Sequence, residues 1–130
     1  MLFKPVFRIC VYDREEDVFV SRSIIDTGSY EPKVSLLLRE LLSIWPGTGR
    51  QKTVVLDIGA NLGIYGLYVA KLGYKVWAVE PQVANLMKVW SNNILPSNDQ
   101  FIISSLRFIP IIIFDIILDV PVLYVVRCTG

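Results

Sequence analysis

Val54-Val55-Leu56-Asp57-Ile58-Gly59-Ala60-Asn61-Leu62-Gly63 is the stretch whose reading decides how this chain folds. Thr53 to Leu56 is short, β-branched and uninterrupted, as expected of a strand covered on both faces. Gly59 and Gly63 bracket a turn. Behind it, apolar side chains at 64, 67, 68 and 72 recur at helical spacing, and Gly73 suits the left-handed position just past a helix end. Lys75-Val76-Trp77-Ala78-Val79 then reads as a second strand ending at Glu80. Asp57 and Glu80 are spaced close to the ~20-residue offset between a glycine turn and a ribose-binding acid. The order strand, glycine turn, helix, strand, acid predicts an α/β fold of the Rossmann-like kind.

The chemistry asks for these residue types. A glycine at a strand end lets the backbone approach a ligand that a Cβ would push away. A carboxylate at the end of the second strand can accept both hydroxyl protons of a ribose, and Glu80 is the candidate. Asp57 either holds the loop through backbone N–H groups or faces a cationic amino group of the ligand. Asn61 tolerates positive φ, so it shapes the turn or lines the site. A nicotinamide dinucleotide is the competing ligand, and an NAD(P)-dependent oxidoreductase the competing function. However, Gly59-x-Asn61-x-Gly63 lacks the central glycine that admits a pyrophosphate. S-adenosylmethionine has no pyrophosphate and needs no anion cradle, so Asn61 favours the methyl donor.

Asp57-Ile58-Gly59-Ala60-Asn61-Leu62-Gly63, followed by Ala78-Val79-Glu80-Pro81, resembles the FkbM-type S-adenosylmethionine-dependent methyltransferases, whose members read D-I-G-A-N-x-G and then E-P. Ser21-Arg22-Ser23 and Gly28-Ser29-Tyr30-Glu31-Pro32 are similar to that family's lead-in. The likeness covers roughly residues 18 to 93. It implies a class I methyltransferase fold, a donor site lined by Asp57, Gly59, Asn61, Gly63 and Glu80, and O-methylation of a small molecule or sugar. The chain departs from the family in its later part, where the alternation of strands and helices fades. Phe114-Asp115-Ile116-Ile117-Leu118-Asp119-Val120 is faintly similar to a later family strand, but Pro121-Val122 stands where Glu-Gly belongs. The expectation is a truncated, donor-binding portion of the domain. A non-catalytic remnant or interaction module is a further alternative.

Outside the central unit, three segments are expected. Residues 1–50 form an N-terminal β-hairpin (Val6 to Tyr12 and Val18 to Ser23) and a lead-in helix, and the acidic loop Asp13 to Asp17 is a solvated turn rather than a metal site. Glu31-Pro32 opens the helix, whose buried face is Val34, Leu37, Leu38, Leu41, Leu42 and Trp45. Tyr30 and Glu31 sit where a cap over the donor pocket would form, with helix initiation as their plainer role. Residues 51–100 form the β-α-β-α unit, whose second helix (Gln82 to Asn92) buries Val83, Leu86, Met87 and Trp90. Residues 101–130 are an apolar tail, read as strands at Ile111 to Ile117 and Val122 to Val126. A membrane span there conflicts with Asp115, Asp119, Pro110 and Pro121.

Composition narrows the functions. A net charge of +1 offers no field for nucleic acid. Histidine is absent, so a general base has to be a carboxylate, Lys or Tyr, and Cys10 and Cys128 are too far apart in sequence for the usual metal spacings. The first residues lack an apolar run of signal-peptide length, which makes an intracellular location the default expectation.

Overall fold

The computed structural model describes residues 7–44, 53–91, 101–105 and 122–126, with the backbone alone for Ser104 and for 122–126. Among the described residues, four helices and four strands follow one another as α1 (Val20–Thr27), α2 (Pro32–Ile44), β1 (Val54–Ile58), α3 (Ile64–Lys71), β2 (Lys75–Val79), α4 (Val83–Ser91), β3 (Phe101–Ser104) and β4 (Val122–Val126). The strands form one parallel sheet in the order β3-β2-β1-β4. Val54 to Ile58 pair with Lys75 to Val79 on one side and Val122 to Val126 on the other. The strand order reverses beside β1. In open α/β sheets, the crevice at such a reversal, beyond the carboxyl ends of the strands, is where ligands bind. This mixed α/β arrangement is compatible with a Rossmann-like fold.

The run 53–58 becomes a central strand because it is apolar on both faces. Val55 and Leu56 are buried, and so is Asp57, which directs its carboxylate to the backbone N–H of Gly66 in α3 at 3.0 Å. α3 lies against the sheet so closely that a Cβ on Gly66 would come within 2.9 Å of the Phe101 ring. Six residues of α3 (Ile64, Tyr65, Gly66, Leu67, Val69, Ala70) are buried as a result. α2 adds Leu38 and Leu42, and α1 adds Val20, so the N-terminal helices and the strand–turn–helix unit share one apolar cluster. Past α3, Gly73 takes φ 93°, the left-handed geometry expected there.

Four expectations need correction. The N-terminal hairpin is absent: residues 7–13 have no regular structure and 20–27 form α1. The reason is Asp17, whose carboxylate accepts from the backbone N–H groups of Phe19, Val20 and Ser21 and from the Ser21 hydroxyl, at 3.2, 3.1, 2.9 and 2.8 Å. Those are the donors a helix start leaves without intrahelical partners, and an acid there selects helix over strand. Gly28 at φ 70° closes the other end, its N–H donating to the Ile24 carbonyl. In α2, Leu38 and Leu42 are buried, whereas Leu37 and Leu41 are exposed, and Trp45 lies outside the described residues. In α4 most of the expected stripe points outward: Val83, Met87 and Trp90 are exposed and Leu86 is half-buried, while the buried residues are Asn85 and Val89. Val89 packs into the space left by Gly63, where a Cβ would meet it at 3.1 Å, and Tyr12 donates to the Asn85 carbonyl at 2.7 Å. Available room and a hydrogen-bond partner, not side-chain size, chose that face. Lastly, the tail contributes two strands to the sheet, one at the expected Val122–Val126 and one at Phe101–Ser104 that the pattern did not reveal. The expected strand Ile111 to Ile117 lies outside the described residues.

Candidate functional site

The turn after β1 and the acid after β2 meet at the carboxyl end of the sheet. Gly59, Asn61 and Gly63 all adopt left-handed backbone, at φ 76°, 52° and 78°. That alternation folds the loop back over β2, where the N–H groups of Gly59 and Ala60 both donate to the Val79 carbonyl, at 2.8 and 3.0 Å. Glu80 is buried. Its Oε2 accepts the Asn61 N–H at 2.7 Å and its Oε1 accepts the Gln82 N–H at 2.8 Å. One carboxylate thus ties the glycine turn to the lead-in of α4. Each of its oxygens carries a second lone pair, so these two bonds leave accepting capacity for a ligand hydroxyl.

Asp57 makes a structural bond to the helix that follows the turn. Its carboxylate faces the first turn of α3 through the Gly66 N–H, where an acid is favoured by the unpaired donors and the positive end of the helix dipole. Gly59 and Asn61 are half-buried at the rim, and buried Gly63 lets α4 approach.

Asn61 and Gln82, the two residues whose N–H groups bond Glu80, line a hollow of about 390 Å³ together with Tyr12, Glu16, Asp17, Ala84 and Asn85. The N-terminal segment reaches it by clasping α4: the Lys88 ammonium donates to the Val11 carbonyl at 3.0 Å and sits 4.7 Å from the centre of the Tyr12 ring. Burial raises the Tyr12 hydroxyl above its ordinary pKa, and the negative charges of Glu16, Asp17 and Glu80 raise it further. Tyr12 therefore stays protonated and acts as a donor. For Asp17 burial pushes upward, but the hydrogen bonds from Ser21, Val20 and Phe19 outweigh it and hold the carboxyl below its usual value. The hollow is thus acidic, an environment that favours a cation and repels a phosphate. Tyr12, Glu16, Gln82 and Asn85 were not candidates from the sequence. The acidic loop was a signal, but nothing in its spacing shows that it folds against α4.

A second cavity, of about 340 Å³, opens between the segment at Phe7, α1, α2 and the start of α3. Ile64, the residue after Gly63, is part of its wall. Tyr30 and Pro32 line it too. Between them, Glu31 holds an uncommon left-handed backbone at φ 44°, and its carboxylate accepts a hydrogen bond from the Tyr65 hydroxyl. Glu31 opens α2, as its plainer role required, and is also anchored to the helix that follows the glycine turn.

No family model, curated protein or solved structure matches the chain. The functional reading therefore rests on the motif residues and on the geometry above.

Proposed function

We propose that this chain binds S-adenosyl-L-methionine and is the donor-binding part of a class I methyltransferase fold, acting in O-methylation of a small molecule or sugar. The observation that carries the reading is the union of turn and acid: Glu80, buried at the end of β2, bonds directly to Asn61 in the middle of the left-handed turn. An adenosyl group lying across the carboxyl ends of β1 and β2 would meet the Gly59 backbone and the Glu80 carboxylate together. The sequence resemblance to FkbM-type enzymes points to the same residues.

Two features favour this donor over a dinucleotide. The N–H groups of Gly59, Ala60 and Asn61 are spent on Val79 and Glu80, so they are not turned outward to cradle a pyrophosphate. The hollow beside Glu80 carries further carboxylates at Glu16 and Asp17, which suit a sulfonium-bearing ligand and oppose a diphosphate. In the transfer, the acceptor oxygen would bond to the methyl carbon as the carbon–sulfur bond breaks. The electron pair would stay on sulfur and the acceptor's proton would pass to a base or to water.

Calorimetric titration of the protein with S-adenosylmethionine and, separately, with NAD⁺ tests this. Saturable binding of the methyl donor with no comparable binding of NAD⁺ is expected; the reverse preference would replace the reading with the oxidoreductase alternative.

A further inference from the structure

The apolar cavity beside the turn has a composition that selects a ligand. Phe7, Ile9, Ile24, Leu36, Ile64 and Tyr68 supply most of its wall, with the polar groups of Ser29, Ser35 and Tyr30 set among them. Small-molecule pockets have this make-up: a few hundred Å³, mainly apolar, with a few polar groups that fix orientation. A sugar carries a hydroxyl on nearly every ring carbon. Each one buried against Ile or Phe without a partner is destabilising, and the few hydroxyls of Ser29, Tyr30, Ser35 and Tyr68 cannot serve them all. A fused or single aromatic ring with one hydroxyl leaves little unpaired and is favoured in proportion to the apolar surface it buries.

Position supports an acceptor more than an unrelated ligand. Ile64 follows Gly63 directly, so the cavity begins one residue beyond the turn that would hold the donor. Two residues of its lining, Tyr30 and Pro32, flank Glu31, whose left-handed backbone and bond from the Tyr65 hydroxyl fix the start of α2. Non-glycine residues held in such sparsely populated backbone regions concentrate at ligand sites. A single hydroxyl on an otherwise apolar molecule would find hydrogen-bonding partners among Ser29, Ser35 and Tyr68 of the wall.

We infer that this cavity is the acceptor subsite and that it takes an apolar, ring-bearing alcohol of the phenol or naphthol class rather than a sugar. The inference rests on the methyl-donor reading for the word acceptor, but the ligand class stands on the cavity itself.

The test uses 6-fluoro-2-naphthol as probe and methyl β-D-glucopyranoside as the sugar comparator, with the full chain and ligand-observed magnetic resonance. The fluorine line of the naphthol should broaden with the wild-type protein and the glucoside should show no transfer of saturation. Leu36→Trp narrows the cavity from a helix position that is 44% exposed, so the core is not disturbed. It should weaken naphthol binding by about tenfold or more, while calorimetric binding of S-adenosylmethionine stays within about twofold. In the unaltered protein, nuclear Overhauser contacts should run from the naphthol ring to Ile64 and Tyr68, a readout that no folding defect can mimic. Glucoside binding in place of naphthol, equal naphthol binding by Leu36→Trp, or contacts elsewhere on the protein would overturn the inference. Because the naphthol experiment needs no donor, failure of S-adenosylmethionine to bind would refute only the proposed function and leave the cavity result legible.

Discussion

α3 and α4 leave the same rim of the sheet, each after a strand, yet they are anchored in opposite ways. α3 is buried almost all round, pressed between the sheet and α2. α4 buries Asn85 and Val89 and leaves Val83, Met87 and Trp90 exposed at 68%, 59% and 67%. The first helix is held by area and close packing, the second by a narrow seam. Two components make that seam: Val89 in the gap at Gly63, and the polar clasp of Tyr12 and Val11 on Asn85 and Lys88. One wall of the candidate site is therefore core, and the other is a helix fastened by the N-terminal segment and the glycine turn.

The contrast can be broken hardest in α3. Replacing Gly66 by Ala gains about 1 kcal/mol of helix propensity but places a Cβ 2.9 Å from the buried Phe101 ring. With the larger branched Val, the overpacking term should dominate and cost toward ~3 kcal/mol, read as a lowered denaturant midpoint. An unchanged midpoint would mean that α3 is not pressed on the sheet. In α4 the smaller buried side chain should matter more than the larger exposed one. Val89→Ala should cost ~2 kcal/mol, the transfer value of a fully buried Val, whereas Trp90→Ser should stay within about 0.5 kcal/mol. The opposite ranking would show that the exposed stripe is covered in solution.

The cap at the start of α1 gives a smaller effect. Asp17→Ala removes the acceptor for three backbone N–H groups and should cost about 1 kcal/mol, seen as a lower thermal midpoint and reduced helical circular dichroism. The same contribution is pH-dependent. Because the folded-state pKa of Asp17 is depressed, its stabilisation is fully present above the ordinary carboxylate pKa and is lost as pH falls through the lower folded value. The wild-type and Asp17→Ala stability curves should therefore converge in acid and separate toward neutrality. Parallel curves would remove Asp17 from the account.

What could be read from residues alone tracks how local the cause is. β1, the left-handed turn, α3, Gly73 and β2 follow from short-range rules of period, glycine and strand end, and they stand where expected. Asn61 even takes the positive φ its side chain permits. The hairpin failed because Val18-Phe19-Val20 has the β-branched and aromatic make-up of a strand, while the deciding interaction, Asp17 capping the next turn, was taken for loop charge. The face of α4 failed because its partners, Gly63 and Tyr12, are distant in the chain. Glu80 was identified as a candidate, but its bond to Asn61 was not, since spacing sets a distance along the chain and not a contact in space.

The central claim is that Glu80 and the glycine turn hold one adenosyl ribose together. A double-mutant cycle on protein and ligand measures this while cancelling the structural cost of altering a buried acid. S-adenosylhomocysteine and its 2′,3′-dideoxy analogue would be titrated into the wild-type protein and into Glu80→Ala. Loss of the hydroxyls should weaken binding to the wild type by about tenfold or more, as expected for hydrogen bonds to a charged group, and should make little difference to Glu80→Ala. If the two ligands differ equally for both proteins, Glu80 does not touch the ribose and its carboxylate serves only the turn.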